Sequence, residues 1–506
     1  MTQLAPSKPD SVAQSIAKFG SGGTDHSAVS RAPSALRSRP VAAVAIMLAI
    51  AAALQAQTVW RPLHLVGQRN SWRFLAPKVT VQPQRTVGEA KLAEESNNQG
   101  DRSSQSSNSP SSGPGVIPIA REETSVNGLT DTKLPPVHIE DSDNQGMSHF
   151  YAALKSTAAR RDSATTRIVH FGDSLVASDY VSGTLRRLLQ STFGDAGHGF
   201  TLVANAWPSY FHEGVSRYAT SGWLVSRVVG PYTSDGWYGL GGVSFKAPPN
   251  TLLRIGTAKR GDIGRLVSRF ELAYVAEPSG GSMRVRIDEQ VVGELSTQNA
   301  EKQFKTAQWK VPEGPHELEL LTTHGTSRLF GVILERDVSG VVLDAIGIQG
   351  ARLRFLDQQD DAHYAEQLRW RNPDLVIYEF GANESADGLA YSLVDFHNTM
   401  KKVLLQQKSA ISTASCLVVG AMDRAVRNGD SLTSASFIPL LVKEQRAVAK
   451  EVGCAFFDTY QAMGGPGAMP RWVRRGLGQA DLTHPTAVGA DIIGTWLYRA
   501  MLEHMR

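Results

Sequence analysis

Three short segments of this chain carry residue types that together could run acyl transfer: Gly172-Asp173-Ser174, Gly381-Ala382-Asn383-Glu384 and Asp481-Leu482-Thr483-His484. A serine hydroxyl is a weak nucleophile at neutral pH and needs a base within hydrogen-bond reach, and imidazole titrates in the right range to serve. Ser174 and His484 fit those two parts, with Asp481 just ahead of the imidazole as its orienting acid. Asn383 offers a side-chain amide, a fixed donor for the negative charge that develops on an attacked carbonyl. The first segment ends the apolar run Arg167-Ile168-Val169-His170-Phe171 and precedes a helix-like stretch. Ser174 is therefore expected where a parallel strand hands over to a helix, the edge at which open α/β sheets bind ligands.

Each segment also has a plainer reading. Gly, Asp and Ser all favour turns, so Gly172-Asp173-Ser174 by itself would be an ordinary turn. Thr483 and Pro485 could cap and open a helix running from Pro485 to about Leu502, on which Val488, Ile492 and Leu497 recur at helical spacing. Both readings hold together if His484 is a loop residue just ahead of that helix. The turn reading leaves the common order and placement of all the segments unexplained. In that order and spacing they resemble the SGNH/GDSL hydrolase superfamily, over roughly Phe150 to Arg506.

The resemblance implies that Ser174 is the nucleophile, His484 its base and Asp481 the acid. It also implies an oxyanion hole made of the Ser174 N–H, the N–H of a second-block glycine and the Asn383 amide. Two glycines follow Val341-Val342-Leu343-Asp344-Ala345-Ile346, namely Gly347 and Gly350. Gly350 is the expected donor, because it lies a few residues past the strand and precedes Ala351-Arg352, a Gly-Ala-Arg similar to that of envelope esterases of this type. Glu384 stands where the family more often has Asp, and it is expected to keep the charge and a supporting role.

These residues need a frame. Strand-like runs at 167–171, 341–346, 375–380, 416–421 and 455–458 alternate with helix-like stretches, which predicts an α/β fold, a three-layer flavodoxin-like parallel sheet. Val181, Leu185, Leu188 and Leu189 share one helix face, Leu393, Met400, Val403 and Leu404 another, and Ile438, Leu441, Val448 and Val452 a third. Between about Val215 and Gly340 the pattern changes to short alternating runs such as Met283-Arg284-Val285-Arg286-Ile287. Seven or eight of these, separated by turns, predict an inserted β-sandwich or jelly-roll module. The arrangement resembles bacterial peptidoglycan O-acetylesterases, in which a carbohydrate-binding-like β module interrupts the SGNH domain. Trp207, Tyr210, Phe211, His212, Tyr218, Trp223, Tyr232, Trp237 and Tyr238 crowd this boundary. Most are expected to pack the seam between modules, and one or two to face a glycan. Arg471, Trp472, Arg474 and Arg475 could meet an anionic glycan or form a solvated loop, and Asp423-Arg424 is either structural or at the rim of the site.

At 506 residues the chain exceeds one ordinary domain, and a net charge of +4 without long Lys/Arg runs argues against nucleic acid as a partner. The expected organisation is a cytoplasmic tail (1–40), a transmembrane signal-anchor (41–60), a disordered periplasmic linker (61–146), the hydrolase domain in two parts (147–214 and 341–506) and the inserted module (215–340). Val41 to Leu54 is free of charge, the stretch extends to Trp60, and Arg31, Arg37 and Arg39 precede it, which places the catalytic part outside an inner membrane. A cleaved signal peptide is the competing reading. Ser103 to Gly115 is too polar to bury a core. Cys416 and Cys454 are expected as buried thiols, with a disulfide between neighbouring strands as the alternative in an oxidising compartment. No metal-ligand spacing or phosphate loop is present, so no cofactor is expected. The expected activity is removal of O-acetyl groups from peptidoglycan or another envelope polysaccharide. The alternatives are an O-acetyltransferase fed by a membrane acyl-transport partner, and a non-catalytic glycan-binding envelope protein.

Overall fold

The computed structural model describes residues 137–161, 164–260 and 264–505. The expected tail 1–40, the anchor 41–60 and the linker up to residue 136 lie outside the described residues. Among the described residues no helix is long and apolar enough to cross a membrane.

The described chain opens with α1 (Ser148–Ala158), β1 (Thr165–Gly172), the short α2 (Ser174–Ala177) and α3 (Val181–Phe193). It then runs through β2 (Gly197–Thr201), β3 (Val215–Ala219), β4 (Leu224–Arg227), β5 (Val243–Ala247), β6 (Leu252–Thr257) and β7 (Val267–Ala276). β8 (Ser282–Ile287), β9 (Gln290–Ser296), β10 (Gln303–Gly314), β11 (Glu317–His324) and β12 (Ser327–Glu335) follow before the return in β13 (Gly340–Gly347). The remainder is α4 (Asp361–Arg371), β14 (Leu375–Glu379), α5 (Leu393–Ala410), β15 (Ser415–Val419) and the hairpin β16 (Ala425–Asn428) and β17 (Ser431–Ser434). Last come α6 (Ile438–Glu451), β18 (Ala455–Phe457), α7 (Thr459–Ala462), α8 (Ala468–Arg474) and α9 (Ala487–Leu502).

Near-continuous apolar runs make strands buried on both faces, and five of them form a parallel sheet in the order β13-β1-β14-β15-β18. Every residue of β13, β14 and β15 is buried. One face is covered by α1, α3 and α9 through Phe150, Leu154, Leu185, Leu189, Ile493 and Leu497. The other is covered by α4, α5 and α6 through Tyr364, Leu368, Met400, Leu404 and Leu441. The last helix differs from expectation. Thr486, not Thr483, caps it by accepting from the Gly489 N–H, and Val488 is exposed while Ala490, Ile493 and Leu497 are buried. Pro485 is spent on a bridge to Gly478 instead of opening the helix, which rotates the buried face.

The insert contains ten strands among its described residues, β3 to β12. The sequence shows fewer runs because β3 and β4 are short and half-buried without clear alternation. They form two antiparallel sheets, β10-β7-β12-β5-β4 and β3-β6-β11-β8-β9, and β2 joins the first beside β12. Leu253, Ile255, Leu272, Leu318 and Leu329 from these sheets belong to one buried cluster that continues into Phe171, Val376 and Tyr378 of the parallel sheet. A polar seam accompanies it. Arg371 donates to Asp344 Oδ2 and Glu335 Oε1, each at 2.7 Å, and Trp370 Nε1 donates to Glu271 Oε1 at 2.8 Å.

Two further differences concern the edges of the fold. Cys416 and Cys454, expected as free thiols, are joined in a disulfide, because Cys416 lies in β15 and Cys454 immediately precedes its parallel neighbour β18. The chain also joins the fold ahead of residue 147. Glu140 pairs backbone to backbone with Phe456 on β18, and Ile139 and Met147 are buried. Thus the span 61–146 ends in ordered chain, which the polar run Asp141-Ser142-Asp143-Asn144-Gln145 concealed.

Candidate active site

β1 stops at Gly172, and Asp173 caps α2 by accepting from the Leu175 N–H at 3.1 Å. This makes Ser174 the first helical residue at the C-terminal edge of the sheet. Ser174 Oγ lies 2.8 Å from His484 Nε2, and His484 Nδ1 lies 2.6 Å from Asp481 Oδ2. The other Asp481 oxygen accepts from the backbone N–H groups of Thr483 and His484, each at 3.0 Å. Leu482 bends the segment with φ 64°, a left-handed conformation costly for a leucine, and so lets one carboxylate face both amides.

The electrostatics of this loop follow from its contacts. Burial works against an ionised Asp481, but the hydrogen bonds from His484 and Thr483 outweigh it and hold the carboxyl down at about 2. Burial also disfavours a charged His484, yet its bond to Asp481 and the charge of Asp173 prevail, and the imidazole titrates above its ordinary value. With Nδ1–H directed at Asp481, Nε2 is the nitrogen that accepts from the Ser174 hydroxyl.

The expected oxyanion donors lie on the adjoining loops. Asn383 follows β14, and its Nδ2 donates to Ala351 O at 2.8 Å, which holds the amide in place and leaves a second N–H. Ala351 directly follows Gly350, so the same bond ties the loops after β13 and β14 together. The two glycines of the second block separate cleanly. A Cβ on Gly347 would come within 1.8 Å of the Ala177 backbone, so this residue lets β13 pack against α2. Gly350 sits in the turn beyond the strand with φ 77° and open space around it, the place for an N–H that meets a ligand. Gln349 beside it accepts from Ser209 Oγ at 2.7 Å.

Behind Ser174 lies a group of buried acids, of which the sequence segments already contained Asp173 and Glu384. Asp173 and Glu384 are essentially inaccessible, and one oxygen of each, Asp173 Oδ2 and Glu384 Oε2, has no hydrogen-bond partner. Glu384 Oε1 accepts from the Leu353 N–H at 2.7 Å, which is the supporting role expected of it. Its charge is another matter, since burial raises both Glu384 and Asp173 to about 7. Glu379 and His170 complete the group, with Glu379 Oε2 and His170 Nε2 2.9 Å apart but not aligned for a hydrogen bond. The sequence signals were Asp173 in the first segment and Glu384 after Asn383; Glu379 and His170 carried none, and their grouping depends on burial.

The remaining candidates divide. Asp423 is buried and structural, accepting from Ser434 Oγ and the Met469 N–H, each at 2.7 Å. Arg424 lines the cleft beside the triad together with Leu175, Ala382, Met422 and Thr483. Trp472 is buried, and Arg471 donates to Pro466 O and Gly464 O, which leaves Arg474 and Arg475 exposed. Trp207, Tyr210 and Tyr238 are buried, and Trp237 stacks on His363 of α4 with ring centroids 4.2 Å apart. Tyr218 and Tyr232 are exposed on the insert. Among the described residues no group of three or more His, Cys, Asp or Glu side chains converges as a metal site.

No protein-family model matches the sequence, and no curated protein matches it. Solved structures do. A peptidoglycan O-acetylesterase is similar with a TM-score of 0.62 and 22% identity, over 73% of this chain and 99% of that one. A family two carbohydrate esterase from Cellvibrio japonicus matches at TM-score 0.24 and 14% identity, over 58% of this chain and 100% of that one. A lipase/acylhydrolase from Enterococcus faecalis matches at TM-score 0.23 and 20% identity, over 32% of this chain and 75% of that one. The first of these likenesses establishes the fold. The chain shares the fold of that structure, a parallel sheet with separate antiparallel sheets inserted.

Proposed function

We propose that this chain is an SGNH-type serine esterase that removes O-acetyl groups from peptidoglycan or another envelope polysaccharide. The observation that carries the reading is the continuous line from Ser174 Oγ through His484 to Asp481, with contacts of 2.8 and 2.6 Å, at the C-terminal edge of the parallel sheet. Ser174 Oγ attacks the acetyl carbonyl carbon as its proton passes to His484 Nε2, and Asp481 stabilises the imidazolium. The N–H groups of Ser174 and Gly350 and the Asn383 amide receive the oxyanion. Collapse breaks the ester C–O bond, and the departing sugar oxygen takes the proton from His484. Water then attacks the acetyl-serine, His484 accepts its proton, and acetate leaves with Ser174 restored.

The polysaccharide substrate is supported by the fold shared with the peptidoglycan O-acetylesterase and by exposed rings on the insert. Export is part of the proposal: the apolar segment 41–60 would hold the chain in the inner membrane with the catalytic part periplasmic, and the disulfide suits an oxidising compartment. The test is acetate release from O-acetylated peptidoglycan by the purified protein and by Ser174→Ala. Release by the wild type alone supports the reading. Equal release by both, or by neither on any acetyl ester, overturns it. Adding an oligosaccharide acceptor separates hydrolysis from acetyl transfer.

A further inference from the structure

We propose that Arg424 is a specificity determinant that recognises a carboxylate carried by the acetylated sugar, so that the site favours anionic over neutral acetylated glycans. The inference rests on the esterase reading above and goes beyond it by assigning the charge of the substrate. Arg424 follows β15 and reaches across to the loop that carries Asn383, where its Nη1 donates to Ala382 O at 3.2 Å and to Ser385 Oγ at 3.3 Å. Leu175, Ala382 and Thr483 share the cleft with it, and these are the chain neighbours of Ser174, Asn383 and His484. The guanidinium is half-buried in this cleft, near enough to His484 for its charge to oppose protonation of the imidazole.

Its charge is not used up. Both partners of Nη1 are neutral, and no carboxylate of the described residues lies within ion-pair distance of it. Arg352, the other arginine beside the Asn383 loop, is by contrast engaged by Asp387 Oδ2 at 2.6 Å. The acids near Arg424 are poor competitors for it. Asp423 turns its Oδ2 to Ser434 and Met469, and burial raises its carboxyl above the ordinary value. Asp173 and Glu384 are raised likewise by burial, Glu379 stands against His170, and Asp481 is committed to His484. A positive guanidinium whose planar fork retains free N–H groups matches a carboxylate bidentately, which a point charge such as lysine does not.

The test uses the full chain and a series of 6-O-acetylated N-acetylmuramic acid compounds: the free acid, its N-methylamide, and a form bearing a short peptide on the same carboxyl. Wild type should favour the acid over the amide about ten- to a hundredfold in kcat/KM, chiefly through KM. The preference should shrink as salt is added. Arg424→Gln should abolish it, and Arg424→Lys should restore part. A peptide-bearing form handled like the amide supports recognition of the sugar's own carboxylate; one handled like the acid overturns it, because its sugar carboxyl is already an amide. Equal wild-type rates on acid and amide overturn the proposal. So does an Arg424→Gln variant that loses equally on both while its pH profile moves up, which makes Arg424 only a modulator of His484. If Arg424→Gln does not fold, as judged by circular dichroism, wild type and Arg424→Lys still decide the matter. Absence of acetate release from every compound by wild type refutes the esterase reading instead.

Discussion

In the proposed mechanism Ser174 supplies the one atom that bonds to the acyl carbon, so Ser174→Ala is expected to cut kcat by about a thousandfold or more while leaving the circular dichroism spectrum unchanged. Asn383→Ala should lower kcat by about 10²–10³ with little change in KM, since its amide is held by Ala351 before any substrate arrives. A raised KM at constant kcat would make Asn383 a ground-state contact. Hydrolysis should rise with pH through the titration of His484, above the ordinary imidazole range, because only the neutral ring accepts the serine proton. Asp481→Asn should move that limb down and lower the rate by about 10⁴. The buried acids predict something about stability. Glu384 has a folded value of about 7 against an ordinary 4.5, so its contribution is complete below the ordinary value and is lost as pH rises through 7. Relative to wild type, Glu384→Gln should therefore raise Tm more at pH 8 than at pH 5 in scanning fluorimetry; an equal shift at both would place no titration there. Ser174, Asn383, Asp481 and His484 were legible as candidates because acyl transfer calls for side chains of those types and their order along the chain resembles that of SGNH/GDSL hydrolases. The neutral leaning of Glu384 was not, because a letter in a sequence carries no information on the water around it.

At the scale of elements, the sheet strands were readable from uninterrupted apolar runs, and the stripes on α3 and α5 pointed to their buried faces. The final helix was misjudged by a fraction of a turn because Thr483 and Thr486 both precede Pro- and Ala-rich helix signals, and only the bridge between Pro485 and Gly478 selects Thr486 as the cap. The disulfide was only the second of two readings of Cys416 and Cys454, since choosing it depends on β15 and β18 being neighbours. It spans 38 residues and encloses the β16–β17 hairpin and α6. Its replacement by a pair of alanines is expected to cost about 2–5 kcal/mol in urea unfolding. The same loss should appear in wild type under reductant and be absent from the variant.

At the scale of the whole molecule, the insert was visible as a change of hydrophobic period, but its union with the parallel sheet was not. Arg371, Asp344 and Glu335 meet from separate parts of the chain, and no local pattern announces that encounter. Since Phe171 and Tyr378 share a buried cluster with the insert, excising 215–339 should leave apolar sheet surface bare. The expected outcome is aggregated protein, measured as loss of the soluble fraction; a soluble, active deletion would show that the sheet closes without the insert. Tyr218→Ser with Tyr232→Ser tests the exposed rings more gently, with a drop expected on acetylated polysaccharide and none on a small acetyl ester.

The bond between Ser174 and His484 joins positions 310 residues apart, and β1 meets β13 only after the antiparallel strands have been threaded between them. Contacts of such long range form late, because the chain must first surrender the freedom of the intervening loop. During synthesis Ser174 therefore emerges 310 residues ahead of His484. A nascent chain that ends between the two thus carries the serine without the imidazole that would take its proton.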